Sequence, residues 1–122
     1  MILADTTIWI DHLRRQNAQM QGLLGSGQVL MHPFVVAELA LGSFRDRVGT
    51  LAALDTILKV RMAQLSDVRQ MIEVRQLYAK GIGLIDAHLI ASSLITPRTK
   101  LWTRDNALRG VAQTLGIDAG LP

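Results

Sequence analysis

Four acidic residues of this 122-residue chain occupy positions that a solvated surface does not explain: Asp5, Glu38, Asp86 and Asp105. Glu38 is one of two glutamates and stands inside Pro33-Phe34-Val35-Val36-Ala37-Glu38-Leu39-Ala40-Leu41-Gly42, a segment apolar on nearly every helical face. A carboxylate buried without a partner costs several kcal/mol. Glu38 therefore asks for an arginine, a place at the edge of the buried face, or a metal, and the metal best explains a charge where leucine would be easier. Asp5 and Asp105 fall at or just past the carboxyl ends of expected strands, where open parallel sheets form their ligand crevice. Asp86 falls at an expected helix start, after Gly81-Ile82-Gly83-Leu84-Ile85. Asp86 and Asp105 read equally well, one by one, as helix N-caps. The chemistry that gathers carboxylates is phosphodiester hydrolysis assisted by hard cations. Oxygen ligands hold Mg²⁺ or Mn²⁺, one ion activating water and another stabilising the leaving oxygen. Without cations, four such acids repel and raise one another's pKa.

Other chemistries find less support. His12, His32 and His88 lack the His-Glu-x-x-His spacing and no cysteine accompanies them, so a zinc centre is not expected. His12 and His88 read as solvated helix residues. Gly25-Ser26-Gly27 is too short to cradle a phosphate and no Gly-Lys-Ser/Thr follows. Ser92-Ser93 suits close helix packing, and Trp9 and Trp102, beside strands, suit the core more than base stacking.

The elements that must position the acids alternate between strand and helix. Ile2-Leu3-Ala4 reads as a buried strand, with Thr6 and Thr7 offering cap oxygens to a helix through Leu13. A turn at residues 25–27, a strand at Val29 to Met31 and a helix from Pro33 to Gly42 follow, proline suiting a first helical turn. A helix over about 48–58, a strand at Val60 to Ala63 and a helix capped by Ser66 come next. In that last helix Val68, Met71, Ile72, Val74 and Tyr78 recur at helical spacing. Asp86 opens a helix with the stripe Ala87, Ile90, Ala91 and Leu94. Residues 100–103 form a strand ending before Asp105, and a helix over 106–115 closes the chain. The alternation predicts an α/β/α sandwich around a central parallel sheet, as one domain over residues 1–122.

Composition fits that reading. Hydrophobic residues make up 49% and cysteine is absent, which allows a core without disulfides and suits a reducing compartment. No basic leader and no apolar run long enough to span a bilayer are expected, so the chain reads as cytoplasmic. Thirteen Lys and Arg against ten Asp and Glu leave a net charge of +3, favourable toward polyanions. Arg14, Arg15, Arg45, Arg47, Arg98 and Arg104 are candidate phosphate contacts, each equally readable as a solvated charge.

Four segments, in order, resemble the motifs of PIN-domain proteins, over almost the whole chain. They are Asp5-Thr6-Thr7, Val36-Ala37-Glu38-Leu39, Ile85-Asp86-Ala87-His88-Leu89-Ile90-Ala91 and Leu101-Trp102-Thr103-Arg104-Asp105. Order, spacing and length are similar to the VapC-type toxins of bacterial toxin–antitoxin pairs. The resemblance implies an α/β/α sandwich, Mg²⁺- or Mn²⁺-dependent endoribonuclease activity and a homodimer that creates a groove for RNA. It also implies a cognate VapB-type antitoxin whose C-terminal segment lies over the active site. Carried over by position, Asp5, Glu38, Asp86 and Asp105 would be the metal-binding acids, supported by Thr7 and Thr103 hydroxyls. Thr7 departs from the serine or asparagine usual there.

A receiver-type phosphoacceptor of similar length would need an acidic pair after the first strand and a central phosphoacceptor aspartate. It would also need a lysine near the last strand. Two threonines follow Asp5, only Asp55 and Asp67 are central, and Lys100 precedes its strand. A non-catalytic RNA-binding PIN module would have lost at least one acid, and all four are present. A non-toxin PIN nuclease of RNA processing stays open at this level.

Overall fold

The apolar tripeptide Ile2–Ala4 forms the middle strand of the sheet, β1, in a computed structural model that describes all residues, 1–122. Val29–Leu30 (β2) and Lys100–Trp102 (β3) pair with it on either side, both parallel, in the order β2-β1-β3. Single parallel bridges, Met31 with Lys59 and Leu101 with Asp118, extend the two edges. Leu3, Ala4, Val29, Leu30, Leu101 and Trp102 are all buried, as expected for a sheet covered on both faces. Parallel strands need long crossovers. The helices supply them: α1 (Thr6–Arg15), α2 (Ala18–Gly25), α3 (Pro33–Ala40), α4 (Arg47–Asp55), α5 (Leu65–Val74), α6 (Leu84–Ile95) and α7 (Asn106–Thr114). The expected three-layer α/β/α architecture is what the chain adopts.

Local chemistry sets most helix starts. Asp5 caps α1 through Oδ1, which accepts from the Ile8 amide; the cap is the aspartate, not Thr6 or Thr7. Pro33 sits in the first turn of α3 as expected, behind His32, whose Nδ1 accepts from the Phe34 amide at 2.9 Å. Asp105 caps α7, its Oδ1 accepting from Leu108 at 2.9 Å. α6 begins two residues before Asp86, which instead receives the Gly83 amide on Oδ2 at 3.1 Å.

Several expectations fail. Val60 to Ala63 form no strand; Met31 and its bridge to Lys59 already close that edge. α5 starts at Leu65 without a side-chain cap, so Ser66 lies inside it, and it ends at Val74. Val74 and Tyr78, spaced as if for a buried stripe, are exposed. α6 departs in the other direction. Its residues from Ala87 through Ser93 are all buried, so the stripe read from sequence is too narrow for a helix enclosed on every side. His88, read as exposed, is buried with them.

Candidate active site

The parallel strands deliver their last residues to one edge of the molecule. Asp5 follows β1 directly, its amide donating to the Trp102 carbonyl at 3.0 Å, and Asp105 lies three residues past β3. α3 brings Glu38 and the first turn of α6 brings Asp86 to the same place. All four acids, with Thr6, Thr7, Ile85 and Leu89, line one open pocket of about 200 Å³.

Asp5 is held by both of its oxygens, and Glu38, Asp86 and Asp105 by one each. Asp5, only 5% exposed, accepts from the Ile8 amide at 3.1 Å and the Thr7 hydroxyl at 2.8 Å on Oδ1. Its Oδ2 accepts from the buried Thr103 hydroxyl, which in turn accepts from the Asp105 amide at 3.0 Å. One threonine therefore ties two of the acids to each other. Arg109 steadies that residue from behind, donating to the Thr103 carbonyl at 2.7 Å. Glu38 accepts from the Thr6 hydroxyl at 2.6 Å on Oε1. Glu38 Oε2, Asp86 Oδ1 and Asp105 Oδ2 receive no protein donor, so unfilled lone pairs from three acids border the pocket.

No basic side chain neutralises this group. The chain's two ion pairs both use Asp11, with Arg15 at 3.3 Å and Arg104 at 3.2 Å. Asp86 carries the consequence. Burial raises its pKa, the Gly83 amide partly opposes the rise, and the charges of Asp105, Asp5 and Glu38 push it further up. Four carboxylates within mutual electrostatic reach, in a chain of net positive charge, are what a site for external cations requires.

An oxygen-only donor set suits a hard cation. No three of the carboxylates stand grouped closely enough to hold one ion by themselves. An ion held here would have to take one or two carboxylates at a time and complete its shell with water or substrate oxygens.

Glu38 is half-buried, not enclosed. The face that carries it opens onto solvent at Ala37, and the buried residues of α3 are Val35 and Leu39. The burial argument made for Glu38 belongs to Asp5. Thr6 is the residue that sequence reasoning placed wrongly, as a helix cap; its pairing with Glu38 bridges 32 positions and leaves no local signal. Of the candidate arginines, Arg14 lines a groove together with Glu38, and Arg45 lines a second groove that shares Arg14. Arg15 and Arg104 are committed to Asp11 and Arg47 to the Ala40 carbonyl. Arg98 precedes β3, and its carbonyl accepts from the Met1 ammonium at the opposite end of the sheet.

A parallel α/β/α frame with acids collected at the carboxyl ends of its strands defines the class, and residues 2–113 match the family described as PIN domain. The chain is also similar to Ribonuclease VapC32 of Mycobacterium tuberculosis, in strains CDC 1551 / Oshkosh and H37Rv. Identity is 36% over 117 residues, covering 96% of this chain and 94% of each relative. The chain belongs to the PIN-domain family, and within it to the VapC type.

Proposed function

We propose that this protein is the toxin of a toxin–antitoxin pair, a metal-dependent endoribonuclease whose Asp5, Glu38, Asp86 and Asp105 bind Mg²⁺ or Mn²⁺. The observation that carries the site is four acids in one pocket with none of the chain's thirteen basic side chains paired to them. When bound, the ion supplies Lewis acidity to the phosphodiester and eases loss of a proton from the attacking water. The residues do the rest. Thr7, Thr103 and the Ile8 amide fix the plane of the Asp5 carboxylate, and Thr6 fixes that of Glu38. Asp86, whose pKa is raised by burial and by the neighbouring carboxylates, takes up a proton early as pH falls and is relieved by a bound cation. Leu89 and Ile85 border the pocket and limit water on that side.

Similarity to a VapC ribonuclease supports an RNA substrate and a VapB-type antitoxin as partner. Homodimerisation, action in the cytoplasm and function as one domain over residues 1–122 complete the reading. No helix is long and apolar enough to cross a membrane.

Cleavage of single-stranded RNA, followed on gels with Mg²⁺, Mn²⁺ or EDTA, tests it. Wild type cleaves with either ion and stops in EDTA. Asp86→Asn keeps the Gly83 hydrogen bond and removes a charge that the metal-free fold disfavours. It should fold at least as stably as wild type at neutral pH and lose cleavage by about a hundredfold or more. A variant that cleaves like wild type removes Asp86 from the site.

A further inference from the structure

A large open cavity runs along α7, the helix that Asp105 caps, from Asn106 to Leu115. It encloses about 500 Å³ between the segment after α5 and the outer face of α7. Arg75, Gln76 and Lys80 form one wall, Asn106 and Gly110 the other, over a floor of Leu77 and Val111. No acidic residue lines it. Neither cation takes part in the protein's ion pairs, which both use Asp11.

Both walls run directly into the active-site acids. Asn106 follows Asp105 in the chain, and the wall that holds Lys80 continues through Gly83 to Asp86. The wall is also fixed in shape. Leu77 is anchored in the core at 6% exposure, and Gly81 lies against α7, where an added Cβ would be in ordinary contact with Ala107 Cβ at 3.6 Å. Backbone in the left-handed region at Gln76, Ala79 and Gly81 turns the segment around the cavity.

We infer that this cavity between Arg75, Lys80 and α7 is a binding site for the RNA strand flanking the scissile phosphate. It takes a nucleotide's phosphate on the two cations and its base or sugar on the amides and apolar floor. The inference deepens the ribonuclease reading and rests on it for the identity of the polyanion. A volume of about 500 Å³ falls within the range of small-ligand sites. Arginine and lysine without a protein counter-ion are the chemistry of phosphate contact. An acidic polypeptide would also meet these cations. The polar amides and the continuity with both acid-bearing elements favour the strand being cut.

The test is fluorescence anisotropy with a labelled 12-nucleotide single-stranded RNA in EDTA. Binding is then read without cleavage and independently of the metal site. Arg75→Ala/Lys80→Ala should weaken binding about tenfold, and should flatten the slope of log Kd against log salt by about 1.4 for two lost phosphate contacts. Gly110→Glu places a carboxylate in open space within the cavity. It replaces a helical glycine with a better helix former, so it should melt no lower than wild type while also weakening binding. Arg61→Ala/Arg98→Ala, with the same net charge but at positions that do not line the cavity, should bind within about twofold of wild type.

Cavity variants that bind like wild type overturn the inference, and this is the result if the cavity serves an acidic polypeptide. So does a control pair that loses as much as the cavity pair, because net charge alone would then be responsible. Loss of cleavage in Mg²⁺ with normal binding in EDTA, or the converse, separates failure of the metal-site reading from failure of this one.

Discussion

Replacing Asp5 with alanine should damage the fold as well as the chemistry, and the two losses can be separated. The carboxylate caps α1 through the Ile8 amide and accepts hydroxyls from Thr7 and Thr103. Losing the cap costs about 1 kcal/mol. Thr103 is 1% exposed, so its hydroxyl is left without an acceptor in the interior, at about 1–3 kcal/mol. Relief of repulsion with the other three acids returns part of this. The net expectation is a loss of about 2–3 kcal/mol, or about 10 °C in melting temperature for a chain of this size. Asp5→Asn should behave differently. Its amide oxygen still accepts from Ile8 and Thr7 and keeps the cap, so that only the Thr103 hydroxyl hydrogen loses its acceptor and the loss stays about 1 kcal/mol smaller than in alanine. Both variants should be inactive on RNA. Thermal melts in EDTA at fixed pH, beside cleavage assays in Mg²⁺, separate the effects. An alanine variant that melts with wild type would refute the structural half of this reasoning. An asparagine variant as unstable as alanine would show that the charge itself holds the strand end.

Two further outcomes follow from the same geometry. His32 is fully buried and its pKa is pushed down to about 4, mainly by burial and further by the charge of His88. The unfolded chain therefore binds the proton first. The stabilising contribution is complete above about pH 6.5 and is lost as pH falls toward 4, reaching about 2 kcal/mol by pH 5. Denaturation midpoints across that window should fall less in His32→Asn, which keeps an acceptor for the Phe34 amide; parallel profiles would refute the assignment. Thr6→Val removes the hydroxyl that orients half-buried Glu38, and should lower kcat/KM about tenfold with a change in melting temperature of no more than a few degrees. Unchanged kinetics would mean Glu38 needs no such support.

The short buried strands, the cap at Asp105 and the proline start of α3 were legible in the chain because each depends on a few neighbouring residues, whereas the cap of α1 fell to Asp5 and not to Thr6 or Thr7. The acids were legible for a related reason. A residue that ends a parallel strand or opens the following helix must arrive at one edge of the sheet, so their places along the sequence already implied convergence. Ordering the acids by burial was not possible in the same way. Helical spacing made Glu38 look enclosed, but α3 turns that face to the rim, while Asp5 sinks beneath the sheet edge with Thr103. Val74, Tyr78 and His88 misled for the same reason. Period reports which residues share a face, and only the packing of neighbouring elements decides which faces are covered.

What the sequence determined by itself was therefore a set: four oxygen-bearing acids in an α/β frame with more positive charge than negative. Tertiary structure decided that none of those positive charges would be spent on them. Both ion pairs went to Asp11, and Thr6, from 32 residues away, went to Glu38. Pairings of that kind are fixed by distance in space, which spacing along the chain does not encode. The unneutralised charge they leave is what a bound cation would offset.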